Sequence, residues 1–288
     1  MIPFIELALN GIVSGLVIGL AALSITLVFG VARFPNAATG DVMSLGAFAA
    51  LASASASGTL LIGGLFGMAV AALVSLACYF LVFQKLTSRP PVASLLASIG
   101  VAFVIRAAMG VVFGHQQKVF DLPLARPWRV LDIRIHPTDL KISLAALATL
   151  AVVFLILHAT PIGRRMRAVA DDPSLARVSG ISPRRIMMAL WLLSGAVAGM
   201  AGILVGIKTV VTPEMGWDLL LPAFAAAIFG GIGHPVGAVV AGVILGIVQE
   251  VATPFVGFTY KIALSFAVLL AVLLFRPKGL FGTVAGAR

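Results

Sequence analysis

Nine apolar runs recur along the chain, and they constrain its fold more than any other feature. They occupy residues 4–29, 42–57, 59–83, 92–114, 141–158, 187–211, 218–232, 235–252 and 259–275. A helix of about 20 apolar residues crosses the hydrocarbon core of a bilayer, and a water-soluble domain needs far more than 10% charged residues. The sequence predicts an all-α polytopic membrane protein with about 8–9 transmembrane helices, of which the runs 42–57 and 218–232 are short enough to be half-helices.

Basic residues predict the orientation of these helices, because cytoplasmic connections are enriched in Lys and Arg. The net charge of +10 would suggest nucleic acid as a partner in a soluble protein, but here it fits membrane lipid instead. We expect a multi-pass protein of a bacterial cytoplasmic (inner) membrane, with its N-terminus outside and its C-terminus cytoplasmic. Twelve of the twenty basic residues then lie inside: Arg33, Lys85, Arg89, Arg164, Arg165, Arg167, Arg177, Arg184, Arg185, Arg276, Lys278 and Arg288. The connection 115–141 is expected outside, with a small β-hairpin around Val130 to Ile135.

A weak internal repeat divides the chain. Asp41 and Asp218 each open a short run of small apolar residues, which is followed by a glycine-rich turn and a longer run; the turns are predicted at Gly58, Gly63 and Gly64 and at Gly230, Gly231 and Gly233. The second copy begins five spans after the first, and an odd offset inverts it relative to the membrane. We expect one transmembrane domain, 1–288, with repeats at about 1–114 and 187–276, a connecting span at about 141–158 and a cytoplasmic loop at 159–186.

Glycine pairs spaced four residues apart occur in three of the runs. They are Gly15 and Gly19, Gly195 and Gly199, and Gly242 and Gly246. Such spacing lets helix backbones approach closely. We expect tight helix packing at these positions.

The loop 159–186 contains clear helix signals. Asp172 followed by Pro173 is predicted to start a short helix, and Gly180 to end it. Leu175, Val178 and Ile181 share one edge of this helix. An apolar edge of this kind fits either a groove on a partner protein or the headgroups of anionic lipid, held there by the neighbouring arginines.

Two polar tracts interrupt the apolar sequence and are the candidates for a translocation pathway, since polar groups at membrane depth tend to face cavities. The first contains Asn36, Thr39, Gly40 and Asp41; the second contains Glu214, Trp217 and Asp218. The alternative is helix capping by Asp41 and Asp218. Arg106 and Glu250 also lie near spans, where snorkelling or pairing between spans would explain them.

The stretch ADDPSLARVSGIS, residues 170–182, resembles the loop by which permeases of ABC importers dock on their ATPases, in the form found in the shorter branched-chain amino-acid permease of high-affinity importers. SGAVAGMAGILVG, IFGGIGHPVGAVVAG and LSITLVFGVARFPNAATGDVMSLGAF are also similar to that family, so the resemblance covers nearly the whole chain. Two departures stand out: Ser174-Leu175-Ala176 replaces the usual Glu-Ala-Ala, and residues 36–40 lack the family's Phe and His. The second departure leaves the solute open.

The resemblance implies a type II ABC-importer-like permease that translocates branched-chain or related amino acids. It implies four partners: two ATP-binding subunits, a second permease, homologous or identical, and an extracytoplasmic solute-binding protein. The ATPases would dock on Asp172, Leu175, Ala176, Arg177, Val178, Gly180 and Ile181. The chain has no GxxxxGK[ST] phosphate-binding loop, and its four histidines lack metal-ligand spacing. We expect no enzyme activity, cofactor or metal; the alternatives are a permease for urea, amides or small carboxylates, or an ion-coupled secondary transporter.

Overall fold

A computed structural model describes residues 2–87, 89–121, 127–130, 133–257, 260–275 and 279–281. The helices are α1 Ile2–Ala32, α2 Thr39–Ser57, α3 Leu60–Cys78, α4 Gln84–Leu86, α5 Pro91–Phe113, α6 Pro137–Ala159, α7 Pro161–Asp171, α8 Pro173–Val178, α9 Pro183–Lys208, α10 Met215–Gly230, α11 Pro235–Val256 and α12 Lys261–Phe275. A π-helical turn, Tyr79–Phe83, joins α3 to α4. Each of the nine apolar runs overlaps one of the longer helices, which confirms the all-α fold.

The lengths and compositions of these helices separate two groups. Six helices of the described chain are long and apolar enough to cross a membrane: Phe4–Ala32, Leu60–Leu86, Pro91–Phe113, Pro137–Ala159, Pro183–Lys208 and Pro235–Val256. Met215–Gly230 and Lys261–Phe275 are apolar but shorter, and Thr39–Ser57 is rich in Ala and Ser. α2, with 19 residues, and α10, with 16, correspond to the two shortest runs.

The packing of the helices is that of two inverted repeats. α1 packs along α11 as α9 packs along α3, α1 contacts α10 as α9 contacts α2, and α2 lies against α5 as α10 lies against α12. α1 ends near the loop 159–186, where Arg33 contacts Ala170, whereas α9 begins there. Because α1 and α9 run in opposite directions, the second repeat is upside down relative to the first.

The predicted glycine pairs lie at close contacts between helices. A Cβ on Gly15 of α1 would come within 2.7 Å of the Val243 backbone of α11, and one on Gly242 would meet Gly19 at 2.5 Å. In the other repeat, a Cβ on Gly195 of α9 would meet Ser75 of α3 at 2.5 Å. The prediction of tight packing at these spacings is confirmed.

The predicted glycine turns are only partly right. Gly58, Gly231 and Gly233 adopt positive φ and form turns. Gly63 and Gly64 instead lie inside α3, so placing them in the turn was wrong. A Cβ on Gly63 would come within 2.6 Å of the Ala50 carbonyl oxygen, which explains its glycine by close packing on α2.

The two ends of the bundle carry different structures. We call the end formed by α7, α8 and Arg33 the loop face. At the other end, Trp128–Val130 (β1) pairs antiparallel with Ile133–Ile135 (β2), which confirms the predicted hairpin. Three of the twelve basic residues assigned to the cytoplasmic side, Arg276, Lys278 and Arg288, lie outside the described residues.

Candidate functional site

The chain turns back into the bundle after α1, and we call residues 33–41 the first re-entrant segment. Phe34 and residues 36–41 are buried. The Asn36 Oδ1 atom accepts a hydrogen bond from the Ala38 N–H at 3.1 Å, and the Ser98 hydroxyl of α5 accepts one from the Ala37 N–H at 3.0 Å. These bonds satisfy the backbone of a buried segment outside regular structure. Thr39 is buried beside them at the start of α2.

Residues 209–218 form the second re-entrant segment, which follows α9 and leads into α10. Gly40 of α2 and Gly216 of α10 meet where these two helices begin: a Cβ on Gly216 would overlap the Gly40 carbonyl, and one on Gly40 would lie 2.9 Å from the Gly216 oxygen. The Gly216 N–H donates to the Ser44 hydroxyl at 2.9 Å. The two repeats therefore join at the N-terminal ends of α2 and α10.

A charged cluster occupies this junction. The Asp41 side chain is fully buried and receives hydrogen bonds from Arg106 Nε at 2.9 Å and Arg106 Nη2 at 3.2 Å. The Trp217 Nε1–H donates to the same carboxylate at 3.0 Å. Of the sequence-predicted pathway residues, the structure brings together Gly40, Asp41 and Trp217.

Asp218 and Glu214 lie on a different surface from Asp41. Both are exposed, at the start of α10. The capping interpretation was wrong for both aspartates: α2 begins two residues before Asp41, and α10 begins three residues before Asp218. The contact between Gly40 and Gly216 makes Trp217, not Asp218, the counterpart of Asp41, so the sequence repeat was out of register by one residue.

The short helix α8 has the predicted boundaries. Asp172 is its N-cap, and its Oδ1 accepts from the N–H groups of Ser174 at 2.8 Å and Leu175 at 3.1 Å. The Ser174 hydroxyl also donates to Oδ1, and together these donors lower the pKa of Asp172. Gly180 has φ +80°, the left-handed conformation that ends a helix and that a Cβ disfavours.

The side chains of α8 divide into an outer and an inner set. Leu175 and Val178 are 64% and 87% exposed, and Arg177 is exposed beside them. Ala176 is only 4% exposed, and Ile181 is half-buried against the core. The predicted apolar edge therefore consists of Leu175 and Val178, while Ala176 and Ile181 fix the helix to the rest of the chain.

Two arginines attach the loop face to the bundle. Arg33 Nη2 donates to the Ala170 carbonyl at 2.7 Å, and Arg167 Nη1 donates to the Leu157 carbonyl at 2.8 Å. Arg33 has φ +58°. Every other described residue with a positive φ is a glycine. Its side chain links the first re-entrant segment directly to the helix that precedes α8.

An aromatic cluster lies beside this link. Phe34 stacks on Phe83 at 5.3 Å between ring centroids, and Phe83 stacks on Trp191 at 4.7 Å. These rings belong to the first re-entrant segment, the π-helical turn and α9, respectively. Trp191 of α9, the helix that follows α8 in the chain, therefore packs against Phe34 of the first re-entrant segment.

Residues 7–273 match the sequence model of the permease component of branched-chain amino acid transport systems. The chain belongs to this family. It is 27% identical over 297 residues to the high-affinity branched-chain amino acid permease LivH of Escherichia coli K12, covering 97% of this chain and 96% of LivH. It is also 31% identical over 156 residues to the permease LivM of the same organism, covering 51% of this chain and 36% of LivM.

The fold is shared with ABC transporters of known structure. A transporter assigned to the metal-chelate type, in an inward-facing conformation, aligns with 93% of this chain and 85% of its own at a TM-score of 0.52 and 17% identity. The chain is therefore a multi-pass permease component of type II architecture, as the sequence predicted.

Sequence reasoning missed three elements of the junction. Ser98, Gly216 and the pairing of Arg106 with Asp41 were not predicted as parts of one site. An arginine inside an apolar run was the available signal, since such a residue needs a partner. Which acid Arg106 pairs with depends on how α5 packs against α2, and this packing could not be read from the sequence.

Proposed function

We propose that this chain is the transmembrane permease subunit of an ABC importer for branched-chain or related amino acids. The match of residues 7–273 to the family, across almost the whole chain, carries the proposal. ATP hydrolysis belongs to two separate subunits, and a solute-binding protein delivers the amino acid from outside. The N-terminus lies outside and the C-terminus in the cytoplasm, which puts the loop face in contact with the ATPases.

The geometry of α8 supports docking on an ATPase better than contact with lipid. Leu175 and Val178 project from a helix that is capped at both ends and held by Ala176, so their positions are fixed before binding. Burying a Leu or Val side chain contributes about 1.5–3 kcal/mol each. Preorganised apolar anchors flanked by a charged residue are typical of docking helices.

A second permease completes the pathway in this proposal. The similarity to LivM in addition to LivH favours a pair of related permeases, with a second copy of this chain as the alternative. The proposed pathway residues are Asn36, Thr39, Gly40, Asp41, Glu214, Trp217 and Asp218. Glu214 and Asp218 are the exposed members of this set, and exposed carboxylates at membrane depth require a water-filled path or a protein partner.

The contacts of the loop face suggest how ATP binding drives transport. When the ATPases close, α8 moves, and the start of α9 and the carbonyl end of α7 move with it. Arg33 and the ring of Phe34 then shift the first re-entrant segment, which begins the pathway helix α2. Two conformations of this segment, open to opposite sides, are sufficient for alternating access.

Reconstitution tests the proposal directly. The chain is purified with its partner permease, ATPases and solute-binding protein, placed in liposomes, and assayed for uptake of radiolabelled leucine, isoleucine and valine with and without ATP. ATP-dependent uptake of these amino acids is the expected result. Preferential uptake of urea, acetamide or succinate would replace the substrate, and uptake that survives without ATP but stops when ion gradients collapse would overturn the ABC mechanism.

Two variants of the docking loop separate coupling from insertion. Gly180→Pro disrupts the end of α8, and Arg177→Glu reverses the charge beside its apolar edge. We expect both to insert normally and to lose ATP-driven uptake. Wild-type uptake in both variants would contradict the docking assignment.

A further inference from the structure

α5 holds the first re-entrant segment at two separate points. Its Ser98 hydroxyl receives the Ala37 N–H, and eight residues later its Arg106 guanidinium pairs with Asp41. The two points lie about 12 Å apart along the helix axis. The position of α2 therefore depends on α5 at both the middle and the end of the segment.

Arg106 also reaches the second repeat. Its Cζ atom lies 5.1 Å from the centroid of the Trp217 ring, and the indole N–H of that ring donates to the carboxylate that Arg106 binds. One guanidinium thus contacts a side chain from each repeat where the Gly40 and Gly216 backbones meet. The cluster of Asp41, Arg106 and Trp217 therefore connects the two repeats through side chains at the junction.

The environment makes this pairing strong. Asp41 is completely buried, whereas the Arg106 side chain is 23% exposed. A buried carboxylate without a partner is strongly destabilising, and an arginine that offers two parallel N–H donors is its best partner. The cation also faces the Phe103 ring at 5.7 Å, so three groups fix its orientation.

We propose that Arg106 is a positioning residue of the permease, which holds the beginnings of α2 and α10 together so that ATP-driven movement of the first re-entrant segment moves both repeats. This inference rests on the function proposed above. Arg106 acts through Asp41 and Trp217. Without Arg106, the loop face still moves with the ATPases, but this movement no longer shifts the beginnings of α2 and α10 together.

The measurement is the amount of leucine taken up per ATP hydrolysed by the complete reconstituted complex. Asp41→Asn/Arg106→Gln removes both charges and keeps a polar side chain at each position, so the junction has no buried unpaired charge. We expect this variant to assemble and hydrolyse ATP but to transport about tenfold less leucine per ATP, because charge-assisted hydrogen bonds contribute about that factor or more. Arg106→Lys, which keeps the charge but not the paired geometry, should give an intermediate ratio.

A second ion pair provides the matched control. Lys261 and Glu250 pair at 2.8 Å between α12 and α11, away from the junction. Glu250→Gln/Lys261→Gln should leave the ratio of leucine to ATP unchanged. An equal fall in that variant would overturn the proposal, as would a wild-type ratio in Asp41→Asn/Arg106→Gln.

Two further outcomes are also decisive. If Asp41→Asn/Arg106→Gln does not assemble, Arg106→Lys decides: a reduced ratio supports the positioning role, and a wild-type ratio overturns it. Failure of the unmodified complex to take up leucine with ATP counts against the proposed function. A wild-type ratio in the variants of a working complex counts only against the role of Arg106.

Discussion

The first re-entrant segment ends in a carboxylate that is buried and bound by two side chains, whereas the second ends in one that is exposed. Asp41 is held by Arg106 and Trp217. Among the described residues, no hydrogen bond or ion pair involves the Asp218 carboxylate, and Glu214 lies exposed one turn before it. Two tracts that look alike in the sequence therefore place their carboxylates in different environments.

This difference shows how an inverted repeat becomes structurally asymmetric. The backbones of the two segments meet symmetrically at Gly40 and Gly216. Within the described residues, α5 carries Arg106, whereas its counterpart α12 carries no arginine between Lys261 and Phe275. The carboxylate of the first segment is consequently held by two side chains, whereas the two acids of the second segment are exposed.

The largest loss of stability among these predictions is expected when Arg106 is removed from the first segment's carboxylate. Arg106→Ala leaves the Asp41 carboxylate buried without its cation, and breaking a buried pair in this way costs about 3–5 kcal/mol. We expect a large loss of assembled protein, measured by size-exclusion chromatography in detergent after a thermal challenge. Asp41→Asn/Arg106→Ala should recover part of that loss, and no difference between the two variants would contradict the pairing.

The next largest loss of stability is expected when a methyl group is added to Gly216 or Gly40, where the two segments meet. Gly216→Ala would overlap the Gly40 carbonyl and should reduce stability by about 1–3 kcal/mol. Gly40→Ala has more room and should have a smaller effect. Gly64→Ala is the matched control, because its Cβ meets nothing within 4 Å. Equal unfolding temperatures for Gly216→Ala and Gly64→Ala would argue against the contact.

The smallest effect on stability is expected in the second segment. Asp218→Asn alters an exposed side chain without described partners, so stability should change by less than about 0.5 kcal/mol. If Asp218 faces the pathway, uptake per ATP should nevertheless fall. The proposal for this residue would be wrong if uptake remained at the wild-type level.

The sequence predicted the elements of this fold better than their contacts. Apolar runs located nine helices because membrane helices must be continuous and apolar, and Asp172 with Gly180 located α8 because caps are local. The partner of Arg106 and the burial of Ala176 depend on packing between distant segments. The predicted alignment of the two repeats was wrong by one residue because it matched Asp41 with Asp218, the same residue type, although Trp217 occupies the matching position.

Site-specific cross-linking tests the central claim, that α8 docks on an ATPase. The single cysteine is first removed by Cys78→Ser, and Val178→Cys is then compared with Val119→Cys; both valines are exposed, but Val119 lies far from the loop face. In the intact complex, we predict a cross-link from position 178 to the ATP-binding subunit that changes in yield with ATP, and none from position 119. An unlinked ATPase with Val178→Cys, in a complex that still transports, would contradict the account.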